Sequence, residues 1–278
     1  MTIVCPGRMT KTHDQFLADN GNLSGLSIMV LDCSSAELAY SSNSRAITLC
    51  TNEKYILEVH KMLALPNSKS IIEEVWTDPN RFDQGRNIAY VENRLKWLNY
   101  KSAKRGTRSW NWTDVAIYYC LLSQGGFNYH FRGWSLQIDK HNPVRPDFPS
   151  IERFSLMAKD KRLLYRRRTI FNFPIQEVDK ETTLIYIHIP IQFSQYGCGY
   201  VWTRRKLRFV QTQLVELASM GYRVCVSTLH SRWGRQIPMS RNLLPEDLFR
   251  PSIYTVLKDS SSYGLNNLTQ EAYYAAGI

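Results

Sequence analysis

The 278-residue chain carries a histidine at the end of an apolar run, Leu184-Ile185-Tyr186-Ile187-His188, followed by Ile189, Pro190 and Ile191. An imidazole at a strand end can accept a hydrogen bond through one ring nitrogen and take up a proton near neutral pH; it can equally serve as a hydrogen-bonded structural group. The other chemistry-bearing residues are cationic and fall in three clusters: Lys101, Lys104, Arg105 and Arg108; Arg162, Arg166, Arg167 and Arg168; and Arg204, Arg205, Lys206 and Arg208. The first cluster precedes Trp110 and Trp112, so its charges could meet phosphates while the rings stack on bases or pack inside. Six cysteines, Cys5, Cys33, Cys50, Cys120, Cys198 and Cys225, are scattered without a CxxC pair. Neither a zinc site nor a disulfide framework is indicated, and no metal is expected.

Composition extends the charge pattern. With 35 Lys+Arg against 24 Asp+Glu the formal net charge is +11, and the sequence pI is near 9.4. A polyanionic partner, DNA or another nucleic acid, is the expectation. The acidic surface of a protein partner could use the same charges. At 44% hydrophobic the chain can bury a substantial core. Met1 to Asp14 lacks the apolar core of a signal peptide, and no stretch reaches the roughly 18 apolar residues of a membrane span. A reduced, cytoplasmic setting without membrane contact is expected.

The elements that would position these residues alternate between strand and helix. Leu26 to Leu31 reads as a buried strand, Ala36 to Tyr40 as the start of a helix and Ala46 to Cys50 as a second strand; Ile56, Val59, His60 and Leu63 then recur at helical spacing. Such alternation predicts a mainly parallel α/β sheet whose ligands lie outside the carboxyl ends of the strands. Between about Pro66 and Pro149 the rhythm lapses, although Asp114 to Leu122 reads as a helix. After Pro149, Ile151 to Ala158 reads as helix, Leu184 to His188 as an interior strand, Thr203 to Ser219 as helix, and Tyr222 to Ser227 as strand beyond the Gly221 turn. In the Thr203 to Ser219 helix, Leu207, Val210, Leu214 and Leu217 mark the buried side. Residues 1–65 and 150–259 are thus expected to form one α/β domain, 66–149 an inserted subdomain, and 260–278 a polar, Tyr-rich tail.

An apolar strand that ends at His188-Ile189-Pro190-Ile191 and continues through loop, helix and strand to Ser227 resembles the catalytic region of Dam-like adenine-N6 DNA methyltransferases. In that family the strand runs into Asp-Pro-Pro-Tyr; here only the second proline, Pro190, is kept. The resemblance spans about Gly25 to Lys258 and implies a Rossmann-like methyltransferase fold. By the same resemblance, the Glu-Pro-Phe-x-Gly-x-Gly turn that approaches S-adenosylmethionine corresponds to Leu31-Asp32-Cys33-Ser34-Ser35-Ala36-Glu37, with Ser35 and Glu37 in place of the glycines. A Glu37 side chain there would intrude on the cofactor. Thr51 stands where an acid would hold the ribose. Asn128, Tyr129, His130 and Arg132, in the Gly125 to Trp134 stretch, correspond to the family's DNA-reading region, although Phe127, Tyr129, Phe131 and Trp134 also alternate as core residues would.

With the cofactor turn, ribose acid, amino-group acceptor and base-stacking residue all altered, the resemblance implies a homologue without methyl transfer and without a cofactor. It would act by binding nucleic acid or a partner. Two alternatives stand beside it: a divergent active methyltransferase that uses S-adenosylmethionine, and a structural protein-interaction module.

Overall fold

The computed structural model describes residues 10–31, 36–51, 54–81, 111–125, 146–172, 177–189, 204–230, 244–257 and 268–278. Its strands are β1 (Ser27–Leu31), β2 (Ala46–Cys50), β3 (Arg162–Arg166), β4 (Thr183–Ile189), β5 (Arg223–His230), β6 (Arg250–Leu257) and β7 (Leu268–Ala276). They form one sheet in the order β3-β2-β1-β4-β5-β7-β6. The first five run parallel, and β7 lies reversed between β5 and β6. The α/β architecture with a mainly parallel sheet agrees with the expectation, including β4 as an interior strand between β1 and β5.

The helices are α1 (Thr10–Asp19), α2 (Glu37–Ser41), α3 (Lys54–Leu63), α4 (Ser68–Thr77), α5 (Trp112–Gly125), α6 (Phe148–Lys159) and α7 (Arg204–Ser219). Local chemistry sets several of their ends. Asn111 Oδ1 accepts the Asp114 N–H at 2.8 Å where α5 starts, and Asp147 caps α6 by accepting the Ser150 N–H, with Pro149 in the first turn. α7 ends at Gly221, which adopts φ +83°. There the Tyr222 and Gly221 N–H groups return to Leu217 O and Ala218 O at 3.0 and 2.9 Å.

Successive strand residues face opposite sides of the sheet, and the core divides accordingly. On one face Ile28, Val30, Ile47, Leu49, Leu184, Tyr186 and Cys225 join side chains of α1 to α6. On the other, Ile185, Ile187, Ile189, Val224 and Val226 meet Val210, Leu214 and Leu217 of α7. Ile72, Val75 and Trp76 of α4 and Val115 to Cys120 of α5 belong to the first of these clusters, so the described helices of the 66–149 stretch share the core of the sheet.

The structure departs from the sequence expectation at the carboxyl terminus. Residues 268–276 are a strand inside the sheet, not a tail, because Tyr273 and Ala275 alternate with Ala272, Tyr274 and Ala276 across two buried faces, and alanine and tyrosine mask that period. β3 and β6 are two further strands beyond those the sequence pattern predicts. The edge strand β3 carries arginine at both ends, and β6 contains Pro251, a residue confined to edges.

Candidate functional site

The carboxyl end of β4 brings its one imidazole into a buried polar row. In register, His188 of β4 lies opposite Ser227 of β5, which lies opposite Tyr273 of β7. Ser227 Oγ is 3.0 Å from His188 Nδ1 and 2.8 Å from the Tyr186 hydroxyl. Ser227 is wholly buried and His188 is 5% exposed. Burial holds the His188 pKa down at about 4, so the ring is neutral at pH 7.

α1 covers this row. Thr12 Oγ1 pairs with the Tyr273 hydroxyl at 2.8 Å, and Phe16 stacks on the Tyr273 ring at 4.3 Å between centroids. The Tyr254 hydroxyl of β6 donates to Asp19 Oδ2 at 2.7 Å. His13, one residue past Thr12, sits edge-on to Tyr273, and its Nε2 is buried without a hydrogen-bond partner. Its pKa falls to about 3, first because of burial and then because a charge on His188 would oppose its own. Two buried imidazoles, both neutral at pH 7, thus lie near enough for the charge of one to oppose that of the other.

This geometry bears on chemistry. A carboxylate at the end of β4 would accept a hydrogen bond strongly while charged; a buried neutral imidazole accepts weakly and only through one nitrogen. Ser227 has the partner but not the access of a nucleophile. Among the described residues no cluster of His, Cys, Asp and Glu is arranged to hold a metal ion, and no helix is long and apolar enough to cross a membrane. Cys120 and Cys225 are buried, and burial raises both thiols well above their usual range, which leaves them unreactive.

The other residues singled out in the sequence separate in space. Thr51, one residue past β2, is buried, and its N–H donates to Arg166 O at 3.1 Å. Glu37 opens α2 and is 9% exposed. With His13, Asp14, Tyr40, Arg153 and Phe154 it lines a depression of about 90 Å³ between α1, α2 and α6. That space is well below the roughly 300–1,000 Å³ of a small-molecule pocket, and neither Thr51 nor His188 lines it. Ile189 points to the opposite face from His188, into the α7 cluster. Arg166 and Arg167 are exposed and Arg168 is half-buried at the carboxyl end of β3; Arg208 is exposed on α7. Asp32, Cys33, Ser35, Pro190, Ile191, Lys101, Lys104, Arg105, Arg108, Asn128, Tyr129, His130 and Arg132 lie outside the described residues.

Sequence reasoning singles out His188 but misses Thr12, His13, Tyr186, Ser227 and Tyr273. A polar residue closing the apolar run Val224-Cys225-Val226-Ser227 is a signal for Ser227. Nothing local couples it to Tyr273 or to α1, because those contacts depend on strand register. No family model matches the chain, and no curated protein matches it.

Proposed function

We propose that this chain is a methyltransferase-like protein that does not transfer methyl groups and acts by holding nucleic acid. The observation that carries the reading is the state of His188. At the strand end where the resembling family places its catalytic Asp, the ring is buried, neutral and engaged through Nδ1 by Ser227 Oγ. The sheet supports the scaffold part of the proposal, since its order, with β7 reversed between β5 and β6, is compatible with a Rossmann-like methyltransferase sheet. The charge of +11 and the exposed Arg166 and Arg167 beside the carboxyl ends of the strands support a polyanionic partner.

The test is incubation of the purified chain with radiolabelled S-adenosylmethionine and mixed-sequence DNA, with an active adenine methyltransferase as control. No label is expected in adenine. The double substitution His188→Asp and Ile191→Tyr should also fail to restore transfer, because Glu37 and Thr51 are unchanged. Protein-dependent adenine methylation by the wild-type chain would overturn the reading and favour the divergent enzyme.

A further inference from the structure

The two faces of the sheet are covered unequally, and the difference is confined to one half. Over β4 and β5, the face that meets α7 is closed, with Ile185, Ile187, Ile189, Val224 and Val226 all fully buried. On the same face over β1, β2 and β3, Leu31 and Cys50 at the carboxyl ends are buried with Ile170, but toward the amino ends Ser27, Met29, Ala46, Thr48 and Leu164 are only half-buried. Their neighbours on the opposite face, Ile28, Val30, Ile47 and Leu49, are at most 1% exposed. Parallel strands are normally covered on both faces, and the crossover between two of them is usually the helix that does it. Here the β3 to β4 crossover, residues 167–182, contains no α-helix among its described residues, only the 3-10 turn Ile170–Asn172.

We propose that this half-covered face is a docking platform for an amphipathic helix of a partner protein, one with acidic residues flanking its apolar stripe. Shape favours a helix: the outer two of three adjacent strands are about 10 Å apart, close to the roughly 10 Å diameter of a helix, and a crossover helix is what such a face ordinarily receives. The platform side chains are small or flexible, which lets a helix approach. Charge selects the acidic flank. Arg162 and Arg166 lie on this same face, because Leu163 and Tyr165 between them pack toward the opposite cluster. Both arginines are exposed, and neither has an ion pair among the described residues. Nucleic acid is the less suitable occupant, since the platform between the arginines offers no aromatic ring for stacking. The platform would serve a protein partner whether or not the chain binds nucleic acid.

The test uses the full chain and a fluorescein-labelled peptide of about 18 residues with Leu at i, i+3, i+4 and i+7 and Glu on both flanks, read by anisotropy. Binding is expected, with slowed amide exchange in β1, β2 and β3. The peptide with Lys in place of Glu should not bind. Leu164→Glu, and separately the pair Arg162→Glu and Arg166→Glu, should weaken binding by about tenfold or more, whereas Arg208→Glu on α7 should not. The arginine pair is exposed, so it reads out docking even if Leu164→Glu disturbs folding. Absence of binding, or equal weakening by Arg208→Glu, would overturn the proposal. So would displacement of the peptide by duplex DNA in a Leu164-dependent manner, which would assign the face to nucleic acid. Self-association of the chain abolished by Leu164→Glu would also overturn it and assign the face to a second copy.

Discussion

His188 and His13 are the residues at which the physics of the site is sharpest. Each is buried and neutral in the folded chain, with pKa values near 4 and 3 against an ordinary 6.5. As pH falls through 6.5 the unfolded chain takes up protons that the folded chain refuses, so stability present above that pH is lost progressively until the pH drops below the folded values. At about 1.4 kcal/mol per unit of difference the pair costs on the order of a few kcal/mol in mild acid. Urea denaturation followed by circular dichroism should therefore give lower stability at about pH 5 than at about pH 7.5, and His13→Gln should shrink that difference. A difference unchanged by the substitution would show that His13 does not titrate with folding. The sequence points to one of these histidines and is silent on the other, because the hydropathy of α1 does not say which strand ends it covers.

At the scale of elements, α1 and β7 hold one another. Tyr273 joins them through the Thr12 hydrogen bond, the Phe16 stack and the edge contact with His13, and Tyr254 adds the bond to Asp19. Burial first, then the hydrogen bond and charge of Asp19, pushes the Tyr254 pKa up to about 12, so its hydroxyl stays a donor at any ordinary pH. Tyr273→Leu leaves the Thr12 hydroxyl buried without this hydrogen bond and deletes an aromatic stack, and should cost roughly 2–4 kcal/mol. The midpoint of urea unfolding checks this. A loss below about 1 kcal/mol would mean that α1 is anchored by packing alone. A second tie, on the far side of the sheet, is Lys161 Nζ, which donates to Ser42 O at 2.6 Å and Ser44 O at 2.9 Å and so fixes the entry to β2 against that of β3. Burial lowers the Lys161 pKa, with Asp160 opposing the shift. β1, β2, β4, β5, α6 and α7 are readable because their apolar residues keep a clean period; β7 is not, because its period is written in alanine and tyrosine.

For the whole molecule the governing quantity is charge. If the chain holds nucleic acid through phosphates, affinity should fall steeply with salt, and replacing Lys101, Lys104, Arg105 and Arg108 together by Ala should weaken binding. The logarithmic salt slope should flatten by about 0.9 for each duplex phosphate that is no longer neutralised. Filter binding or anisotropy across a salt series measures both. An unchanged slope would place the interface elsewhere, with Arg162 to Arg168 the next cluster to remove. Charge alone does not choose between DNA and an acidic protein surface: Arg166 is common to both readings, whereas Lys101, Lys104, Arg105 and Arg108 bear on nucleic acid alone.

The class of fold is legible in the order of amino acids, and so are the residues at which the chain differs from the motif of the family proposed above. Alternation of short apolar runs with helical spacing forces a parallel sheet with crossovers, and Ile189 and Ile191 cannot supply a rigid proline turn or a stacking ring wherever they lie. It took the folded chain to reveal that His188 pairs with Ser227, that His13 of α1 is buried against Tyr273, and that one sheet face is incompletely covered toward the amino ends of β1, β2 and β3. Each of these depends on register between strands distant in the chain, or on how helices pack over the sheet, and neither leaves a local trace in the order of residues.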